Sequence, residues 1–283
     1  MSKVCLEVLQ EAKAKLKKKK AQTAQLEAEL ILSSVLKCER IKLHLDPKRV
    51  LTKAEHKLFE KLLKQRLSGK PLQYTLGEAY FFGYKFKVNP NVLIPRPETE
   101  ILVSEVISLL RTKENSKIID LGTGCGNIAT GLALNLKDAF IFATDISPNA
   151  LKVAKLNAKL NRVEDRIKFL CGDLFKPIKT KFDAIVSNPP YVSEKEYTKL
   201  PDEIKNFEPK EALLAGKDGL EYIKKIVEQA PGFLNKDGIL ALEIGFGQER
   251  KVKELVFNSK FLKLIEIKKD LSGIPRVMLA RKL

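Results

Sequence analysis

The stretch from Lys117 to Asn127, KIIDLGTGCGN, most constrains what this chain can fold into. Five residues of strand character run directly into three alternate glycines, Gly122, Gly124 and Gly126, and a helical pattern follows. Glycines at such a place let the backbone turn tightly and let a ligand approach the main chain. The helix start beyond them adds exposed amides and a positive dipole end. Asp145 then closes the next strand candidate, 19 residues after Gly126. An acid in that position can accept hydrogen bonds from both hydroxyls of a ribose.

The C-terminal two thirds of the chain repeats the alternation of strand and helix. Strands are expected at Lys117–Leu121, Phe140–Thr144, Ile167–Leu170, Phe182–Ser187, Ile239–Ile244, Leu262–Ile267 and Arg276–Ala280. Helical patterns lie between most of them, one opening with Ser147-Pro148 as N-cap and first helical residue. Alternating elements imply an α/β fold with a mostly parallel, doubly wound sheet.

Two kinds of nucleoside ligand compete for such a loop. A dinucleotide fingerprint, G-x-G-x-x-G, would need glycine at position 127, which is Asn127. That disfavours a dehydrogenase. The observed spacing, Asp-x-Gly-x-Gly-x-Gly from Asp120, resembles Rossmann-like methyltransferases that use S-adenosylmethionine (SAM). On that resemblance Gly122, Thr123, Gly124, Cys125 and Gly126 cradle SAM and Asp145 holds its ribose. Asp173 and Leu174, after the third strand, flank its adenine.

The strand Phe182–Ser187 ends in Asn188-Pro189-Pro190-Tyr191. Ligands of open α/β sheets bind beyond the carboxyl ends of the strands. A carboxamide nitrogen is a poor nucleophile because its lone pair is delocalised into the carbonyl. Its two hydrogens must be held so that the lone pair faces the methyl group. The Asn188 side-chain oxygen and the Pro189 carbonyl can do this. The prolines stiffen the turn and offer no competing N–H, and Tyr191 offers a flat face for a planar group. The expected reaction is in-line displacement with the nitrogen roughly 3 Å from the methyl carbon. The proton leaves afterwards to water, so no strong base is needed. The tetrapeptide alone fits adenine N6, cytosine N4 and glutamine side chains equally.

Residues 1–72 read as a small helical bundle. Cys5, Val8, Leu9, Ala12 and Leu16 recur at helical spacing, as do Ala24, Ala28, Ile31, Leu32, Val35 and Leu36. Thr52-x-x-Glu55 announces a third helix by a capping box, ending near Ser68-Gly69. Residues 73–92 crowd aromatics around Gly77 and Gly83 and read as a β-hairpin joining the bundle to a catalytic domain at 93–283.

Composition closes off other classes. The net charge of +17 suits an acidic or nucleic-acid partner without requiring one, and the first 70 residues hold 18 Lys and Arg against 8 Asp and Glu. Four dispersed cysteines form no CxxC pair, and the two histidines, His44 and His56, make a metal site or a histidine relay an unexpected reading. No apolar run approaches the roughly 18 residues of a membrane helix. The N-terminus lacks an apolar signal core, so a cytoplasmic protein is expected.

Six segments occur in one order: Gly69-Lys70-Pro71-Leu72-Gln73-Tyr74, Phe82-Gly83, Leu93-Ile94-Pro95-Arg96-Pro97-Glu98-Thr99-Glu100, Asn188-Pro189-Pro190-Tyr191, Glu208-Pro209-x-x-Ala212-Leu213 and Glu243-Ile244-Gly245. With Asp270–Arg276 they closely resemble the release factor glutamine methyltransferase family (PrmC/HemK) over essentially the whole chain. The resemblance implies a protein substrate, the Gly-Gly-Gln glutamine of class I peptide chain release factors, and N5-methylglutamine as product. It implies SAM contacts at Gly122–Gly126, Asp145 and Leu174, where the family often has an aromatic. Asn188 would touch both cofactor and substrate, and Pro189, Pro190 and Tyr191 would hold the glutamine. An adenine-N6 methyltransferase and a non-catalytic RNA- or ribosome-binding protein of the same fold are the alternatives. Arg96 and Glu98 have no role assignable from sequence, beyond a helix start at Glu98-Thr99.

Overall fold

The computed structural model describes residues 3–19, 21 and 23–283. Met1 and Ser2, at the head of the stretch read for a signal core, lie outside the described residues. The chain divides into two compact units, Met1–Gly77 with Asp202–Phe207, and Glu78–Pro201 with Glu208–Leu283.

The first unit contains helices α1 (Cys5–Lys18), α2 (Ala24–Leu36), α3 (Arg40–Leu45), α4 (Lys53–Leu67) and α5 (Leu72–Leu76). Val8, Ala12 and Leu16 of α1 meet Ala28, Ile31 and Leu32 of α2 and Phe59 and Leu63 of α4 in a core of their own. The expected capping box is present: Glu55 N donates to Thr52 Oγ1 at 3.2 Å and Thr52 N to Glu55 Oε2 at 2.8 Å. Helices α3 and α5 were not expected, because 5 or 6 residues are too few to show a helical period.

In the second unit β1 (Glu78–Phe81) and β2 (Tyr84–Lys87) form a hairpin. Its turn residues Phe82 and Gly83 both have positive φ, 53° and 78°, as a two-residue hairpin turn requires. Phe81 and Phe86 are buried in the same core as Leu102, Val103 and Val106, which belong to α6 (Thr99–Leu110).

The chain then runs through β3 (Lys117–Leu121), α7 (Asn127–Asn135), β4 (Phe140–Asp145), α8 (Pro148–Leu160), β5 (Ile167–Cys171), β6 (Phe182–Ser187), α9 (Glu194–Tyr197) and α10 (Asp202–Phe207). It ends with α11 (Glu221–Phe233), β7 (Leu234–Glu243), α12 (Glu249–Asn258), β8 (Leu262–Lys269) and β9 (Pro275–Lys282). Helix α10 is the segment counted with the first unit.

The seven-stranded sheet has the order β5-β4-β3-β6-β7-β9-β8. Strands β5, β4, β3, β6 and β7 are mutually parallel, and β9 and β8 are antiparallel additions at one side. Helices α6 and α7 cover one face and α11 and α12 the other, each with a separate buried cluster. The fold is therefore the expected doubly wound α/β architecture.

The order of strands reverses between β3 and β6, which makes their carboxyl ends the topological switch point. Leu121 pairs with Thr144 on one side and Ser187 on the other, and Ser187 pairs with Leu242. Gly122, Asp145, Asn188 and Glu243 therefore all emerge along one edge of the sheet.

Candidate active site

The glycine loop is held by its own backbone and by three side chains. Thr123 N donates to Thr144 O at 2.9 Å and Gly126 N to Thr123 O at 2.8 Å. Thr123 Oγ1 donates to Asp120 Oδ2 at 2.6 Å, which also accepts from Ala129 N at 3.2 Å. Asp120 is completely buried, and burial pushes its carboxyl up to about 7. Gly124 N donates to Asp145 Oδ2 at 2.8 Å and Ser147 N to Asp145 Oδ1 at 2.9 Å. Burial raises the Asp145 carboxyl, against the pull of those two amides. Cys125 is buried with its thiol pushed up to about 12, so it is no nucleophile near neutral pH.

The three glycines do different work. All have positive φ, between 55° and 79°. A Cβ added at Gly122 or Gly124 would meet nothing within 4 Å, whereas one at Gly126 would lie 3.0 Å from Ala154 Cβ. Gly126 lets α8 close against the loop. Gly122 and Gly124 keep open a space that side chains would fill.

That space is a cavity of about 380 Å³, within the ordinary range for a small-ligand site. Gly122, Thr123, Gly124, Cys125, Asp145, Asp173, Leu174, Asn188, Pro189 and Pro190 line it. Gly126 and Tyr191 do not. SAM fits these walls. Asp145 offers carboxylate oxygens to a ribose diol, and two more donors would favour its charged form. Leu121, Ile146 and Leu174 provide apolar surface for a flat base, and the glycine edge leaves room for the rest.

The Asn188–Tyr191 segment is gripped from several sides. Asn188 Nδ2 donates to Thr99 Oγ1 at 3.0 Å. Thr99 Oγ1 donates to Glu243 Oε2 at 2.6 Å, and Tyr191 OH donates to Glu243 Oε1 at 3.3 Å. Gln248 Nε2 donates to the Tyr191 carbonyl at 3.0 Å. The Tyr191 ring packs over Gly245, where a Cβ would come within 3.0 Å of Cδ2. Tyr191 is thus fixed by its hydroxyl, its carbonyl and its ring, and burial raises its phenol.

The Pro95–Glu100 string gains defined partners. Arg96 Nη2 donates to Glu208 Oε1 at 2.6 Å. Glu98 is the N-cap of α6, as its helix-start position suggested. Glu100 Oε1 accepts from Phe82 N at 2.6 Å, which ties the hairpin turn to α6.

Four residues escaped the sequence reading. Thr99 and Glu243 lay inside segments already noted, yet a buried Thr–Glu pair separated by 144 positions leaves no local signal. Ile146 follows Asp145 and is exposed in the cavity wall; an apolar residue directly after the ribose acid was a usable cue. Asn157 on α8 is fully buried and donates from Nδ2 to the Cys125 and Lys87 carbonyls, each at 2.9 Å, while Oδ1 accepts from Lys87 N at 2.6 Å. It joins the hairpin to the glycine loop.

Comparison with known proteins places the chain in a family. The model of the PrmC N-terminal domain matches residues 7–77, and that of the methyltransferase small domain matches residues 98–205. A release factor glutamine methyltransferase of Thermodesulfovibrio yellowstonii is 44% identical over 90% of this chain and 92% of its own length. One from Chlorobaculum tepidum is 39% identical over 90% of each. Among solved structures, a methyltransferase from Pyrococcus furiosus superposes with a TM-score of 0.53 at 19% identity, over 79% of this chain and 98% of its own. That likeness is one of fold.

Proposed function

The chain belongs to the release factor glutamine methyltransferase family, and from that premise we propose that it methylates the side-chain amide nitrogen of a glutamine in class I peptide chain release factors, at their Gly-Gly-Gln motif. The observation that carries this reading is the orientation of Asn188. Its Nδ2 is occupied by Thr99, and its Oδ1 has no donor among the described residues, in a side chain that lines the cavity.

In this reading Asn188 and Pro189 are the catalytic residues. Asn188 Oδ1 and the Pro189 carbonyl accept the two hydrogens of the amide NH2, which turns the nitrogen lone pair out of the plane of competing contacts. Pro190 completes the substrate side, and Tyr191, which does not line the cavity, holds the turn from behind through Glu243 and Gln248. Gly122, Thr123, Gly124, Cys125 and Gly126 shape the cradle for SAM, Asp145 takes the ribose hydroxyls, and Asp173 and Leu174 flank the adenine. When bound, SAM supplies an electrophilic methyl carbon on a sulfonium sulfur. The amide nitrogen would gain that methyl as the methyl–sulfur bond breaks, the electron pair leaving on S-adenosylhomocysteine, and would lose one proton to water. None of the site's side chains has to act as a strong base. The helical unit at residues 1–72 grips the protein substrate, with residues 73–92 leading into the catalytic unit at 93–283.

The test is to incubate the protein with methyl-labelled SAM and a release factor, and separately with nucleic acid, then locate the label by mass spectrometry. The expected result is one methyl on the Gly-Gly-Gln glutamine. Label on adenine alone, with none on the factor, would support an adenine-N6 methyltransferase and sink this reading.

A further inference from the structure

The two ends of the Asn188 carboxamide are nearly the same size and opposite in chemistry. Only Oδ1 can accept hydrogen bonds from a substrate NH2. Something must decide which end faces the cavity. We propose that Thr99 and Glu243 are positioning residues that set this orientation, transmitting the polarity of a buried carboxylate through one hydroxyl to Asn188. The inference deepens the functional reading above and rests on it.

The number of hydrogens on the Thr99 hydroxyl sets the direction. A hydroxyl has one to give. Thr99 Oγ1 lies 2.6 Å from Glu243 Oε2, and an ionised carboxylate only accepts. The Thr99 hydrogen is therefore committed to Glu243. Toward Asn188, 3.0 Å away, Thr99 can only accept. Asn188 must then present Nδ2 to Thr99 and Oδ1 to the other side. With the hydroxyl hydrogen turned the other way, Asn188 would settle with Oδ1 on Thr99 and Nδ2 forward. It would then face the substrate with donors, and would favour an amide bound by its oxygen, with the nitrogen misplaced.

Burial makes the arrangement strict. Thr99 and Glu243 are each only 1% exposed, so solvent hydrogen bonds are not freely exchanged for theirs. Glu243 also has no ion-pair partner among the described residues, since the neighbouring Arg276 is bonded to Asp270 at 2.9 Å. A buried carboxylate without a counter-ion is costly for folding. Its oxygens are spent on Thr99 and on the Tyr191 hydroxyl, which are the two side chains that frame the Asn188–Tyr191 turn. Sequence carries part of this device, because Thr99 lies in the Pro95–Glu100 string and Glu243 opens Glu243-Ile244-Gly245.

The experiment measures glutamine methylation kinetics and SAM affinity for Thr99→Val, Thr99→Ser and Glu243→Gln. Thr99→Val keeps the shape and removes the hydroxyl. It is expected to lower kcat by about 10²-fold, the scale of a misplaced reactive group, with SAM Kd unchanged within about 2-fold. Thr99→Ser restores the hydroxyl and is expected to recover most of the rate. Introduced into Asn188→Ala, Thr99→Val should have no further effect, because its only route to the reaction is through Asn188. Should Thr99→Val fail to fold, Glu243→Gln gives the same reading: its amide can donate as well as accept, no longer commits the Thr99 hydrogen, and lowers kcat at constant SAM Kd. Wild-type kcat in Thr99→Val or Glu243→Gln, or a Thr99→Ser as slow as Thr99→Val, overturns the inference while the functional reading stands. Absence of label on the glutamine with the wild-type protein overturns both.

Discussion

Arg96 Nη2 donates to Glu208 Oε1 at 2.6 Å, joining two segments 112 positions apart in the chain. The other oxygen of Glu208 accepts from Ile94 N at 3.3 Å. The Glu208 side chain is 2% exposed, whereas Arg96 keeps 30% of its surface in solvent and lines the cavity. Arg96 is therefore the counter-ion that allows a carboxylate to sit behind the site wall, and the pair anchors the Pro95–Glu100 string to the Glu208–Leu213 segment.

Arg96→Ala strips the partner from that buried charge. It is expected to destabilise the protein by about 3 kcal/mol, the low end of the range for a broken buried pair because Arg96 is partly solvated. Adding Glu208→Gln should recover part of the loss. Denaturant unfolding of the two variants checks this, and a silent Arg96→Ala would show that solvent already satisfies Glu208.

Alanine at the glycines should separate binding from folding. Gly126→Ala drives a methyl group to within 3.0 Å of Ala154 Cβ and 3.2 Å of its backbone Cα, and is expected to cost about 1–3 kcal/mol. Gly124→Ala carries the positive-φ strain alone, about 1–2 kcal/mol, and points its methyl into the cavity. SAM Kd should rise by about 10-fold or more in Gly124→Ala if the lost space costs the ~1.4 kcal/mol that tenfold represents. Calorimetric titration with SAM alongside thermal melts distinguishes the two, and the reverse ranking would contradict the assignment of roles.

Asn188→Ala removes an acceptor aimed at the reacting group. Loss of about 10²–10³-fold in kcat is expected, as for other preorganised polar contacts, with SAM Kd changed by no more than about 3-fold. Equal losses in turnover and SAM affinity would make Asn188 a cofactor ligand instead.

Stability and activity should respond to pH in opposite directions. Burial raises Glu243 from 4.5 to about 7; Thr99, Tyr191 and Arg276 oppose the shift, and Glu98 adds to it. The folded state therefore binds this proton more tightly than the unfolded chain. The resulting stability is full below pH 4.5 and is lost as pH rises through about 7. Its size is about 3 kcal/mol at about 1.4 kcal/mol per pKa unit. Buried Asp120, raised from 3.8 to about 7, acts in the same direction. Turnover, by contrast, requires ionised Glu243 to hold the Thr99 hydrogen, so kcat should climb between about pH 6 and 8. Melting temperatures and kcat measured across that interval test both halves. Glu243→Gln should flatten the kcat profile and make the fall in stability shallower, with the part due to Asp120 remaining.

Much of the fold was legible because it is written locally. Strand β6 is buried along its whole length and is mostly apolar, with Asp183 and Ser187 the polar exceptions, as suits a central parallel strand. The Ser147-Pro148 start of α8 is recognisable from chemistry alone, and Ser147 Oγ accepts from Ala150 N at 3.2 Å. Strand β7 was legible only from Ile239. Its polar beginning, Asn235-Lys236-Asp237-Gly238, is drawn into the sheet because Leu234 pairs with Phe182 across an irregular register. That pairing is a property of the assembled sheet.

The sequence by itself determined the order of strand, glycine loop, helix and acid, and the chemistry available at Asn188-Pro189-Pro190-Tyr191. These depend on residue types a few positions apart, which local backbone geometry converts directly into structure. Only the tertiary structure decided what faces Asn188, what neutralises Glu208 and what holds Asp145, because parallel pairing brings residues tens of positions apart to one edge of the sheet. It also decided direction. Which end of an amide points at the substrate depends on which buried neighbour has a hydrogen to give, and no local pattern records that Thr99 has already given its own to Glu243.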